Sequence, residues 1–252
     1  AALTTKVSGT IPWSELVASP RIEPRIVRPG VDDVALIQYT SGTTGYPKGA
    51  TLTHANLLVN AAQARAWVPG VPRGTAVVWA VLPMFHAYGL TLCLTFAMSI
   101  GSRLVLFPRF DPDLVLPVLK KRPPTFLPAV PPIYERLTKA ADEKGVSLKG
   151  IAIAISGAMP LSASVVEPWE ERTGGYLVEG YGLSEASPVV TANPLLGPVK
   201  PGSIGQPIPQ TIVSLRALDD PTKEVPLGEK GEVCIKGPQV MKGYWKKPDE
   251  TG

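Results

Sequence analysis

The sequence is poor in the residues that would mark a disulfide scaffold, a nucleic-acid binder or a membrane span. It has two cysteines, Cys93 and Cys234, in 252 residues. They lie far apart in apolar segments, and neither has a second cysteine or a histidine at ligand spacing. Reduced, buried thiols in a cytosolic protein are therefore expected. Charge of one sign is scarce as well. The 25 Lys and Arg against 21 Asp and Glu leave a net +4, and no basic block stands out, so no nucleic-acid partner is expected. A slightly basic surface suits anionic small molecules. The first residues, AALTTKVSGTIPW, lack the basic region and apolar core of a signal peptide. One apolar stretch, 76–100, is long enough to span a bilayer, but Pro83, His86 and Gly89 interrupt it, a poor trio for the centre of a membrane helix. It reads as a buried strand, a short loop and a buried helix. A location in the cytoplasm is expected, with peripheral attachment to a membrane surface left open.

What remains is a globular composition, 44% hydrophobic and 18% charged, in a chain long enough to bury a substantial core. Residues 1–30 are polar and proline-bearing and read as a connector. Strands are expected at 32–39, 75–82, 103–107, 125–127, 150–155 and 176–179. Helices are expected from 54 to 67 with Thr53 as N-cap, and at 88–100, 111–121, 131–143 and 162–173. In 111–121 the residues Leu114, Val115, Leu116, Val118 and Leu119 are dense enough to be largely buried. Alternating strands and helices argue for an α/β fold over 31–194, a mostly parallel sheet covered by helices. From about residue 195 to 252 the helices stop, and short strands such as 212–217 and 232–236 define a small β-rich, barrel-like piece.

Two glycine-rich stretches carry the chemistry. The first, YTSGTTGYPKG at 39–49, follows an apolar strand and precedes the 54–67 helix, the layout of a phosphate-binding turn. Gly42, Gly45 and Gly49 let backbone N–H groups face an anion, Ser41, Thr43 and Thr44 add hydroxyls, and Lys48 adds a compact positive charge. The Lys-Gly ending is not that of a nucleotide-triphosphatase loop. Taken alone, the stretch fits a flexible connection with a surface lysine equally well. The second, EGYGLSEAS at 179–187, has Gly180 and Gly182 flanking Tyr181, then Ser184 and Glu185, a hard oxygen ligand of the kind Mg²⁺ takes. By itself it reads as a β-turn with an exposed tyrosine. Placed after a phosphate-type loop, and at the end of another strand, it reads as the other half of a site at the carboxyl ends of strands. Between them lies Pro83-Met84-Phe85-His86. On sequence alone His86 fits a core histidine; His54, opening a helix, is structural.

The run ending in Pro-Lys-Gly resembles the signature loop of the adenylate-forming superfamily: acyl-CoA synthetases, aryl-CoA ligases, beetle luciferase and peptide-synthetase adenylation domains. The resemblance implies ATP, Mg²⁺ and coenzyme A as co-reactants, with ATP, a carboxylic acid and coenzyme A as small-molecule partners. It implies that Ser41, Gly42, Thr43, Thr44, Gly45 and Lys48 hold phosphates, that Tyr181 stacks on adenine between Gly180 and Gly182, that Ser184 holds a phosphate oxygen and that Glu185 binds the metal. Glu179 matches a position near the adenine, and Gly157 and Ala158 match the turn on its other side. His86 matches a residue beside the carboxylate pocket, giving Lys48, Glu185 and His86 as the catalytic set. Adenylation domains for α-amino acids carry an aspartate where His86 stands, so a plain carboxylic acid is implied. The apolar Leu82, Met84, Phe85, Tyr88, Leu90 and Leu92 suit an acyl chain. GYGLSEAS with MFHAYG is most like long-chain fatty acyl-CoA synthetases. An aryl-CoA ligase, or a module that binds nucleotide without turnover, are the rival readings. The segment GEVCIKGPQVMKGYW at 231–245 resembles the lead into the family's ribose-binding aspartate, which the resemblance places beyond Gly252 together with the C-terminal lid. The chain itself is thus expected to bind nucleotide weakly, to make no acyl-CoA and to self-associate through an uncovered flank of the sheet.

Overall fold

A computed structural model describes residues 13–18, 28–40, 46–200 and 202–251. Its elements, in chain order, are α1 (Trp13–Ala18), β1 (Val34–Thr40), β2 (Lys48–Thr53), α2 (His54–Trp67), β3 (Val77–Ala80), a π-helical turn (Gly89–Thr95) running into α3 (Phe96–Ser99), β4 (Arg103–Leu106), α4 (Pro112–Leu119), β5 (Phe126–Ala129), α5 (Pro131–Glu143), β6 (Ile153–Ser156), α6 (Ala163–Thr173), β7 (Tyr176–Gly182), β8 (Val189–Ala192), β9 (Gln206–Pro207), β10 (Ile212–Arg216) and β11 (Glu232–Lys236). The main sheet has seven strands in the order β4-β3-β5-β6-β7-β8-β9. Its first five strands are parallel; β8 and β9 are added antiparallel. The architecture is the expected α/β one, a mostly parallel sheet covered by helices.

The strands are short, nearly continuous apolar runs because both faces are covered. Alternate residues feed two cores. Trp79, Leu127, Ala154 and Leu177 face α4, α5 and α6. Val78, Phe126, Ile153, Ile155 and Val178 face α2 and the 89–99 segment. Trp79, Phe96, Phe126, Tyr134 and Trp169 are fully buried, and at roughly 2–3 kcal/mol for each large apolar side chain removed from water this two-sided packing is the main stabilising term.

Helix ends follow local chemistry. Thr53 caps α2 in a capping box with Asn56, Ser162 caps α6, and Pro131 and Pro132 open α5. Helix α2 has an unusual inner face: Asn56, Asn60 and Gln63 are all buried. Asn60 donates to the Val189 carbonyl and accepts its N–H. Asn56 donates to the carbonyls of Pro238 and Val240, and Gln63 donates to the Pro209 carbonyl. These side chains tie backbone from three separate stretches to one helix, so every buried polar group on that face is satisfied.

The structure departs from several expectations. The first glycine-rich stretch does not run from a strand straight into a helix. Residues 48–53 form β2, which pairs antiparallel with β1, Tyr39 opposite Gly49 and Thr40 opposite Lys48. Tyr39, Thr40, Lys48 and Gly49 of the stretch thus belong to paired antiparallel strands, β1 is outside the seven-stranded sheet, and of the two stretches only the second leaves a strand of that sheet. Segment 88–100 is not one α-helix. Its first part is a π-turn, in which the Thr95 hydroxyl donates to the Leu90 carbonyl. A Cβ on Gly89 would meet the Pro83 carbonyl oxygen at 2.2 Å, so only glycine fits the start of that turn. Leu114 is exposed at the outer face of α4. Cys93 is buried as expected, which pushes its thiol up to about 12, but Cys234 on β11 is only half-buried. Strand β7 continues through Gly182, and β8 and β9 extend the main sheet past residue 195. The later hairpin of β10 and β11 forms a separate two-stranded sheet. None of the described helices is long and apolar enough to cross a membrane.

Candidate active site

At the carboxyl ends of β6 and β7 the chain opens into a cleft of about 430 Å³, well inside the range of small-molecule sites. Gly157 and Ala158 leave β6 on one side; Gly180, Tyr181, Gly182, Leu183, Ser184 and Glu185 come from β7 and the 3₁₀ turn after it; His86 closes a third side. These eight of the sequence-predicted residues (His86, Gly157, Ala158, Gly180, Tyr181, Gly182, Ser184 and Glu185) are brought together around one cleft. Two non-glycine residues around it hold left-handed backbone, Ala158 at φ 65° and Ser187 at φ 69°. Strain of this kind persists where the surroundings over-determine it, and it clusters at ligand sites. Ser187 is fixed from both ends, its carbonyl accepting from the Thr91 hydroxyl and its own hydroxyl donating to the Gln239 carbonyl.

Gly182 marks a register shift where β7 meets β8. A Cβ there would stand 2.0 Å from the Pro188 carbonyl oxygen, so glycine lets the returning strand close behind Ser184 and Glu185. At Gly157 a Cβ would lie 3.2 Å from the Tyr88 ring. That ring is buried and its hydroxyl donates to the carbonyls of Ile155 and Ala129; burial holds the phenol well above its ordinary range, so it is a neutral donor that braces the cleft floor.

His86 is exposed on the cleft rim rather than buried in a core. Its Nδ1 accepts the Tyr88 N–H at 3.2 Å, which leaves the proton of the neutral ring on Nε2. Tyr181 is half-buried in the cleft wall, not the exposed tyrosine of a turn. Glu179 does not line the cleft. It is half-buried, burial raises its carboxyl above the usual range, and the Leu161 N–H partly offsets that. Ser41, Gly42, Thr43, Thr44 and Gly45 lie outside the described residues.

Lys48 lies on β2 beside the cleft. Its ammonium pairs with the Glu250 carboxylate and stands 5.2 Å from the centre of the Tyr244 ring. The Tyr244 hydroxyl donates to Glu185 Oε1 at 2.7 Å. Burial first, then this bond to Glu185, pushes the phenol up to about 12, so it carries its proton at neutral pH. Among the described residues no group of three or more His, Cys, Asp or Glu side chains could hold a metal ion alone. One carboxylate at an open cleft matches Mg²⁺, which keeps several waters and takes its other ligands from substrate phosphates.

Sequence reasoning missed the apolar wall. Ala64 and Trp67 of α2, Val68 just after it, and Phe126, Ile155, Val189, Ala192 and Ile208 line the cleft. Of the apolar residues expected to surround an acyl chain only Tyr88 and Leu92 do so, and Phe85 is 82% exposed. Lys48, Tyr244 and Glu250 were also not linked, because nothing local in the sequence joins positions two hundred residues apart.

Fold and cleft together define an α/β protein with a small-molecule site at the carboxyl ends of parallel strands, apolar at its base and polar at its rim. The chain belongs to the AMP-binding enzyme family, whose model matches residues 3–245. It is 43% identical over 238 residues to a long-chain-fatty-acid–CoA ligase of Bacillus subtilis, covering 94% of this chain and 41% of that protein. ATP-bound MatB from Rhodopseudomonas palustris superposes with a TM-score of 0.77 at 34% identity, over 89% of this chain and 44% of MatB. A long-chain-fatty-acid–CoA ligase from Archaeoglobus fulgidus gives 0.77 at 32% identity, over 87% and 45%. The chain thus spans about two fifths of the length of the curated relative it matches.

Proposed function

We propose that this protein activates a carboxylic acid with ATP, forming an acyl-adenylate, and passes the acyl group to the thiol of coenzyme A. The acid is a medium- or long-chain fatty acid. The observation that supports this best is the cleft itself, which joins a polar rim of Gly157, Ala158, Tyr181, Ser184 and Glu185 to an apolar wall of Val68, Leu92, Phe126 and Ile155. The relatives named for long-chain acids agree with it.

In this reading Tyr181 and the 157–158 turn enclose the adenine, and the Ser184 hydroxyl holds a phosphate oxygen. Residues 41–45 with Lys48 hold the β- and γ-phosphates. A carboxylate oxygen of the substrate bonds to the α-phosphorus as the bond from that phosphorus to the bridging oxygen breaks and pyrophosphate leaves. The thiol of coenzyme A then attacks the acyl carbon, loses its proton, and AMP leaves. Bound at Glu185, Mg²⁺ would neutralise charge that builds on the departing phosphates. The protein contributes position and preorganised charge rather than a covalent intermediate. His86 stands at the rim where the carboxylate enters. Among the described residues Glu185 at the rim is the one acidic side chain that lines the cleft and none lies on the apolar wall, so an amino-acid ammonium at that wall would be buried without a partner.

ATP–pyrophosphate exchange driven by acids of graded length tests the proposal on the protein that carries this sequence. Exchange should rise from short acids to those of about a dozen carbons and stay low with benzoate. Exchange best with benzoate would favour the aryl-CoA reading, and tight nucleotide binding without exchange a non-catalytic module.

A further inference from the structure

We propose that Tyr244 is a positioning residue that holds Glu185 ready for the metal and couples it to Lys48; this rests on the nucleotide reading above. Tyr244 lies on a segment that joins β2 as an added strand. Lys242 N–H donates to the Thr51 carbonyl, Thr51 N–H to the Gly243 carbonyl, and Trp245 N–H to the Gly49 carbonyl at 2.7 Å. The pairing fixes Tyr244 opposite Ala50, in register with the strand that carries Lys48.

From that place the side chain meets both charged groups. Its hydroxyl donates to Glu185 Oε1, and its ring lies beneath the Lys48 ammonium. The same segment grips the backbone of Glu185, whose carbonyl accepts the Met241 N–H at 2.7 Å. Beyond Tyr244 the chain folds back: Tyr244 N–H donates to Thr251 Oγ1, which donates to the Lys247 carbonyl. This turn brings the Glu250 carboxylate to Lys48. Glutamate is a long, rotamer-rich side chain, and ordering it costs free energy whenever a ligand needs one geometry. A hydroxyl that holds one carboxylate oxygen meets that cost before the metal arrives and leaves the second oxygen for the cation. One side chain thereby contacts both the carboxylate and the lysine assigned to the phosphates.

Tyr244→Phe removes the hydroxyl and keeps the ring, so it separates positioning from packing. Binding of a fluorescent ATP analogue is titrated with Mg²⁺ in the wild type, in Tyr244→Phe, in Glu185→Gln and in the double variant. Tyr244→Phe should raise the Mg²⁺ concentration for half-maximal binding about fivefold, leave metal-free binding within about twofold of wild type, and leave the thermal midpoint unmoved. In the Glu185→Gln background it should add nothing. An unchanged Mg²⁺ midpoint, an equal shift in the Glu185→Gln background, or collapse of the fold on loss of one hydroxyl would each overturn the positioning role. A wild type that binds no nucleotide would instead overturn the reading on which the role rests.

Discussion

Gly182→Ala should be the most damaging single-methyl change in the cleft. The new Cβ would face backbone, 2.0 Å from the Pro188 carbonyl oxygen and 2.7 Å from its carbon. No flexible side chain stands there to give way, so β8 must move off β7 and carry the 184–187 turn with it. Overpacking of this severity costs about 3 kcal/mol, roughly a 6–12 °C fall in thermal midpoint for a chain of this size. Nucleotide affinity should fall more than tenfold in whatever protein remains folded. Gly180→Ala is the control, because its Cβ would meet only ordinary contacts at 3.5 Å or beyond. Thermal unfolding of the pair decides the matter. A Gly182→Ala protein as stable as Gly180→Ala would show that the register shift is not held by steric necessity.

Glu185→Gln should leave the fold intact and remove most of the metal dependence. The amide oxygen can still accept from Tyr244, so packing and the local hydrogen bond survive. What is lost is the charge that a hard cation requires. The Mg²⁺-dependent part of nucleotide binding should weaken by about tenfold or more, on the scale of losses seen even for groups that only support a metal's ligands. Calorimetric titration of ATP with and without Mg²⁺ reads both parts. Identical Mg²⁺ dependence in variant and wild type would remove Glu185 from the metal role.

The frame of the protein could be read in its sequence wherever local chemistry decides it. Thr53, Ser162 and Pro131 each start a helix where the capping and proline rules place one, and the alternation of strand and helix gave the sheet. The π-turn, strand β2 and the far side of the cleft could not be read that way. KGATLT has one large apolar residue, so it lacks the pattern of a buried strand, and the pairing with β1 and with 242–245 makes it one. GYG reads as a turn; its second glycine, Gly182, instead lets β8 approach strand β7 closely. Helix α2 buries amides beside its small Ala61 and Ala64, and the amides bond backbone carbonyls of three other stretches. The candidate site divides the same way. Gly157, Ala158 and the 180–185 run are short local motifs and are found together. The link from Lys48 through Tyr244 to Glu185 depends on tertiary pairing.

The central claim is that this cleft holds the adenine of ATP between Tyr181 and the 157–158 turn. Photolabelling with 8-azido-ATP, followed by peptide mapping, tests it most directly. The label should fall on peptides carrying residues 157–158 and 180–185 and be lost when unlabelled ATP is added in excess. Label that maps elsewhere, or that excess ATP does not displace, would contradict it.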